Sequence, residues 1–239
     1  MVRKAGLVSG DERAPRGSLK QLVYEEMKRK IITCEIMPGS QLTEEMICEM
    51  LKASRTPVRD ALSRLEQEQL LSIHSKKGIF INTVSLSNVN ELFEARMRIE
   101  PYAVEHYGNR IRDEVYVDYI NYFSENHDPA ELYERDDRFH QMFIDVARNR
   151  YLSSFHSITK DQVMRFRVLS DIKDRTKDGL KEHREVALQC LRGNWAQAAE
   201  AMKTHIENSK ISIVHYVLDN HKNAKNIFSG ISQEGSALS

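Results

Sequence analysis

The chain has 239 residues, with 35 Lys and Arg against 35 Asp and Glu, so its formal net charge is zero. Hydrophobic residues at 41% and charged residues at 29% exclude a disordered chain, and no run nears the ~18 apolar residues of a membrane span. Three cysteines without a CxxC pair exclude a disulfide framework; with Arg3 and Lys4 followed by no apolar segment, a reduced cytoplasmic protein without a secretory signal is expected.

With only 10 Gly and 5 Pro, long helices are expected. Residues 1–17 are polar and aperiodic, a flexible arm ending at Ser18 as a helix N-cap. From Leu19 to Cys34, Leu22, Val23, Met27, Ile31 and Ile32 follow the spacing of one buried helical stripe. Met37-Pro38-Gly39 ends that helix. Thr43 caps a short second helix carrying Met46, Ile47, Met50 and Leu51. Ser54 caps a third, with Pro57 in the first turn and Val58, Ala61, Leu62 and Leu65 on one face. Two strand-like segments, 71–74 and 79–83, then flank the turn Ser75-Lys76-Lys77-Gly78.

Three helices and a basic-tipped hairpin make the plan of a winged helix-turn-helix over residues 18–84. Residues 1–84 hold 14 Lys and Arg against 11 Asp and Glu. Ser54, Arg55, Thr56 and Arg59 stand at the start of the third helix, off its apolar face. Such a helix end can enter a major groove, where an arginine fork matches guanine O6 and N7. Lys76 and Lys77 would add contacts to the sugar–phosphate backbone. Taken singly, these charges also fit a solvated helix face and an ordinary turn; their order argues for the nucleic-acid reading.

Met37-Pro38-Gly39-x-x-Leu42-x-Glu44, the run Ser54-Arg55-Thr56-Pro57-Val58-Arg59-Asp60-Ala61-Leu62, and Gly78-x-Phe80 resemble the DNA-binding domain of GntR-type bacterial regulators. The resemblance implies that Arg55 and Arg59 touch DNA, with Thr56 on phosphate and Gly78 at the wing tip. Two residues depart from the pattern: Asp60 replaces a usual Glu, and Gln69 stands where Gly is common before the wing.

Residues 88–218 read as an all-helical bundle of five helices: 88–106, 136–147, 152–171, 180–191 and 196–218. A polar tail, expected to be mobile, follows from Asp219. Asp136 and His140, four residues apart, share a helix face and can close on one ion. His183 near a helix start and His205 on the next helix could meet them if the turn at Gly193 sets those helices antiparallel. Imidazoles with one carboxylate suit zinc, nickel or a similar divalent ion, although Asp-x3-His also recurs by chance. The other histidines (His74, His106, His127, His156, His215 and His221) stay unassigned.

Asp136-x-x-Phe139-His140, Ala147-x-Asn149-x-x-Leu152, Glu182-His183 and His205 look like the effector domain of the FadR-like branch, the FCD type. That resemblance implies a divalent ion on Asp136, His140, His183 and His205, zinc first, with nickel or manganese as alternatives. It also implies a small carboxylate effector completing the coordination. Arg96 and Glu100 match its R-x-x-x-E; Arg96 is read either as a carboxylate fork aimed into the cavity or as half of an intrahelical pair. The expected protein is a homodimeric regulator of a pseudo-palindromic operator. The alternatives are a hydrolase-like metalloenzyme, for which no catalytic motif stands out, and a metal-independent regulator of acyl ligands.

Overall fold

The computed structural model describes residues 19–125, 129–170 and 173–234, which leaves the expected arm and its Ser18 cap outside the described residues. Two compact units result: residues up to Ile31 with Gly39–Asn82, and Ile32–Pro38 with everything from Thr83.

The first unit contains α1 (Leu19–Ile32), β1 (Gln41–Leu42), α2 (Glu44–Leu51), α3 (Arg55–Gln67), β2 (Leu71–His74) and β3 (Gly78–Ile81). Its core joins Val23, Met27 and Ile31 of α1 to Ile47 of α2 and to Val58, Leu62 and Leu65 of α3. Each such side chain contributes about 1.5–3 kcal/mol on burial. Leu22, Met46 and Met50, expected in that core, are exposed. On α1 Tyr24 fills the stripe in place of Leu22; its hydroxyl donates to Glu68 at 2.6 Å, and the Arg64 guanidinium lies 3.5 Å over its ring. Thr43 caps α2, its side chain accepting from the Met46 N–H at 3.2 Å. Ser54 occupies the N-cap of α3 but its hydroxyl makes no capping bond.

The sheet has the order β1-β3-β2, antiparallel throughout. The two-residue strand β1 is absent from the sequence reading because so short a segment shows no periodicity. It is held beside β3 by the Gly39 N–H donating to Ile81 O and the Ile81 N–H donating to Ser40 O, at 2.8 and 2.9 Å. His74 pairs with Gly78, so the wing tip is Ser75-Lys76-Lys77 and Gly78 opens β3. At φ +101° a Cβ on Gly78 would lie 2.8 Å from Leu42 O. Its lack of a side chain therefore lets β1 close on the wing, a structural role in place of the expected one at the tip. Gln69 adopts φ 59°, the left-handed region a glycine takes freely. Gln69→Gly is expected to stabilise this unit by about 0.5–1 kcal/mol, the relief of that conformation less the added freedom of the unfolded chain. Urea titration of the two proteins checks it; an unchanged or lower midpoint would show that Gln69 sits there without strain.

The second unit is helical: α4 (Leu86–Tyr107), a 3-10 turn (Gly108–Arg110), α5 (Asp113–Tyr122), α6 (Pro129–Val146), α7 (Arg150–Ser170), α8 (Lys173–Leu191) and α9 (Trp195–Glu234). Six α-helices are described where five were expected. The addition, α5, falls in a segment the sequence reading leaves unassigned; its Val and Tyr residues favour strand, but it buries Tyr116 and Tyr119, and Tyr119 meets Phe139 edge to face at 5.0 Å. Helices α6 and α8 begin well before the expected Asp136 and Leu180. The segment read as a tail from Asp219 is the continuation of α9 as far as Glu234. The core joins Phe93 and Val104 of α4, Phe139 and Phe143 of α6, Val186 of α8, and Met202 and Ile206 of α9. Gly108 admits the Trp195 ring at the start of α9, where a Cβ would lie 2.8 Å from that ring.

Candidate metal centre and nucleic-acid interface

Helix α6 carries Asp136 and His140 one turn apart, α8 carries His183 and α9 carries His205. Gly193, at φ 72°, turns the chain so that α9 folds back along α8, which brings His183 and His205 together. His183 lies mid-helix, since α8 starts at Lys173, and not near a helix start as expected.

One ligand atom from each of these four residues lies within 4.8 Å of the other three. His183 Nε2 is 3.1 Å from His140 Nε2, 3.1 Å from His205 Nε2 and 3.3 Å from Asp136 Oδ1. Donors about 2.0–2.1 Å from one ion would be about 3.3 Å apart if tetrahedral, and about 3.0 Å apart at adjacent octahedral positions. The three spacings to His183 fit either arrangement. All three imidazoles are buried.

Carboxylates orient the rings from behind. His140 Nδ1 lies 2.8 Å from Glu100 Oε2, and His205 Nδ1 lies 2.9 Å from Glu182 Oε2. This arrangement turns each Nε2 lone pair inward and raises ligand basicity. Asp136 pairs through Oδ2 with Arg167. Burial would raise the Asp136 carboxyl, but Arg167, His183 and His140 together hold it well below the usual carboxylate range. Burial, reinforced by His183 and His140, holds His205 well below the ordinary histidine value. The ring is therefore neutral at pH 7, the state that binds metal. Both observations fit a divalent cation.

Arg96 and Glu100 form the intrahelical pair: Arg96 Nε donates to Oε1 at 2.6 Å and Nη2 to Oε2 at 3.2 Å, both residues 3% exposed. Burial would raise Glu100, but Arg96 and His140 hold it ionised, well below its usual range. The pair also lines a cavity of about 280 Å³ together with Asp136 and His140. The sequence reading named Glu182 only within the Glu182-His183 motif, left His156 unassigned and did not name Arg167. Glu182 precedes His183 directly and carried a hint in that adjacency; the other two carry no local signal.

In the first unit, Ser54, Arg55, Thr56, Arg59, Lys76 and Lys77 are all exposed, as the helix periodicity and wing geometry require. Arg55 Nη2 donates to Glu45 at 3.0 Å and Arg59 Nε to Glu44 at 2.8 Å, both acids standing in the first turn of α2.

A winged helix-turn-helix unit followed by a helical unit with a buried three-histidine cluster is the build of a DNA-binding transcription regulator. Residues 19–81 match the profile described as bacterial regulatory proteins, gntR family, and residues 91–208 match that of the FCD domain. The chain belongs to the GntR family, in the branch that carries an FCD domain; it is a regulator of transcription and not an enzyme. An HTH-type transcriptional regulator of Bacillus subtilis (strain 168), YdhC, is 23% identical over 208 residues, covering 84% of this chain and 93% of its own. The HTH-type transcriptional repressor RspR of Escherichia coli (strain K12) is 24% identical over 206 residues, covering 83% and 90%. The structure of a GntR transcriptional regulator from Rhodococcus sp. RHA1 covers 82% of this chain and 97% of its own, with TM-score 0.69 and 19% identity, and shows the same fold. Among the described residues no helix is long and apolar enough to cross a membrane.

Proposed function

We propose that this regulator is a cytoplasmic homodimer that reads a pseudo-palindromic operator and whose operator affinity follows a small carboxylate bound beside a metal ion. Ser54, Arg55, Thr56 and Arg59 meet the major groove and its phosphates, and Lys76 and Lys77 meet the neighbouring backbone. Two-fold symmetry of the protein is mirrored in two half-sites. The observation that carries the effector reading is the convergence of three buried imidazoles and the Asp136 carboxylate on one point at the wall of a cavity.

Asp136, His140, His183 and His205 hold the ion, with zinc the first choice and nickel or manganese served by the same donors. When bound, the ion supplies a Lewis-acidic position for a carboxylate oxygen. Arg96, kept rigid by Glu100, offers its outer nitrogen to the same carboxylate. Occupancy favours one arrangement of the helices, and an effector that prefers it changes operator affinity by the same factor by which DNA changes effector affinity.

The test is fluorescence anisotropy with duplex DNA from the chain's own upstream region, using zinc-loaded protein and a panel of short carboxylates. At least one acid is expected to shift the DNA dissociation constant about fivefold or more, and only in the metal-loaded protein. An equal shift in metal-free protein would replace this account with a metal-independent one. No response to any acid in either form would remove the effector role.

A further inference from the structure

Three ion pairs stand in the cavity wall. Arg96 pairs with Glu100, Lys160 with Asp137 at 3.3 Å, and Arg167 with Asp136. The Thr159 hydroxyl is also committed, donating to the His156 carbonyl at 3.0 Å. Of the wall residues' nitrogens that are buried without a hydrogen bond, His140 Nδ1 still lies 2.8 Å from the Glu100 carboxylate; the other two are Arg96 Nη1 and His156 Nε2. His156 is 4% exposed, lies on α7 and belongs to none of the four ligand positions. It lines the same cavity as Asp136 and His140.

A buried nitrogen without a partner keeps the full penalty of its desolvation, and a ligand that meets it removes that penalty. Arg96 Nη1 suits a carboxylate. His156 Nε2 accepts or donates according to tautomer, and a hydroxyl satisfies either state because it does both. A plain alkyl chain there would leave the imidazole unmet, and sites built to hydrogen-bond a hydroxyl discriminate strongly against the analogue lacking it.

We infer that His156 is a specificity-determining residue that reads a hydroxyl on the effector's carbon chain beyond the carbon next to the carboxylate, so that the effector class is a hydroxylated carboxylate and not a simple acyl chain. The inference rests on the carboxylate-and-metal reading above. The carbon-2 hydroxyl is set apart because it can chelate the ion without help from His156.

The probes are pairs differing only beyond that carbon: butyrate against 3-hydroxybutyrate, and 2-hydroxyhexanoate against gluconate. Calorimetry on zinc-loaded full-length protein is expected to show at least one hydroxylated member binding about tenfold more tightly than its partner. In His156→Leu that preference is expected to fall below threefold, and His156→Gln, which keeps a hydrogen-bonding group, is expected to restore part of it. Zinc content measured in parallel reports on the fold of each variant. Equal binding within both pairs, or a preference that survives in His156→Leu, would overturn the inference and leave the metal-and-carboxylate reading standing. Failure of all four acids to bind zinc-loaded protein would instead overturn that reading, and this inference with it.

Discussion

Operator DNA is expected to bind the Arg55→Ala, Arg59→Ala double variant at least a hundredfold more weakly than the parent protein. A good bidentate arginine–guanine contact carries about 1–3 kcal/mol of discrimination, and two contacts are lost together. The same change leaves Glu44 and Glu45 unpartnered at the start of α2. Their charges would then face phosphate with no guanidinium between them, which adds repulsion to the lost contacts. Both arginines are exposed, so the urea midpoint should stay close to that of the parent. Lys76→Ala with Lys77→Ala is expected to weaken all sequences alike and lower the salt slope by about 1–2. Anisotropy over a series of salt concentrations measures both sets, with affinities compared at one of them. Double-variant binding within threefold of the parent would mean that α3 does not read the groove.

Removing metal is the second large effect. Ion present at about a thousandfold over its dissociation constant stabilises the folded state by about 4 kcal/mol. At roughly 2–4 °C per kcal/mol for a chain of this size, chelation with EDTA is expected to lower the melting temperature of the helical unit by about 10 °C. His183→Ala removes the central ligand, and with it the response to EDTA. That insensitivity is the informative reading, because loss of a ring stacked on Phe123 destabilises by itself. A parent protein that melts identically before and after complete metal removal would make the cluster a packing feature.

The pH dependence has a definite sign. His205 titrates lower in the folded protein than in the unfolded chain, so the unfolded chain takes up a proton first as pH falls. Metal-free stability is therefore full above about pH 6.5 and declines below it. Metal affinity declines in the same direction, because protons compete for the imidazoles.

The architecture was legible wherever a residue's role is local. The apolar spacing on α3, Pro57 in its first turn, the Thr43 cap and the strand pair around Lys76-Lys77 are set by neighbours a few positions away. Asp136 and His140 were legible as a pair because one helical turn joins them. Bringing in His183 and His205 needed knowledge of how α8 and α9 pack, which the family resemblance supplied and spacing alone did not. Tertiary burial decided the rest. Helix α5 forms against the strand preference of its Val and Tyr residues because Tyr116 and Tyr119 lock into an aromatic cluster. Met46 and Met50 follow a helical stripe yet remain exposed, since a helix as short as α2 buries little beyond Ile47. His156 has no sequence signature, because its significance lies in the cavity that α7 borders.

The two carboxylates against Arg55 and Arg59 bear on the thermodynamics of DNA association. An arginine already neutralised by a neighbouring acid must surrender that partner before it reaches a phosphate or a base, so part of its gain is an exchange of one anion for another. Fewer sodium ions leave the duplex per arginine engaged than a free guanidinium would displace. Binding therefore depends less steeply on ionic strength than the number of basic side chains on this face implies, and more of the preference among sequences survives at high salt.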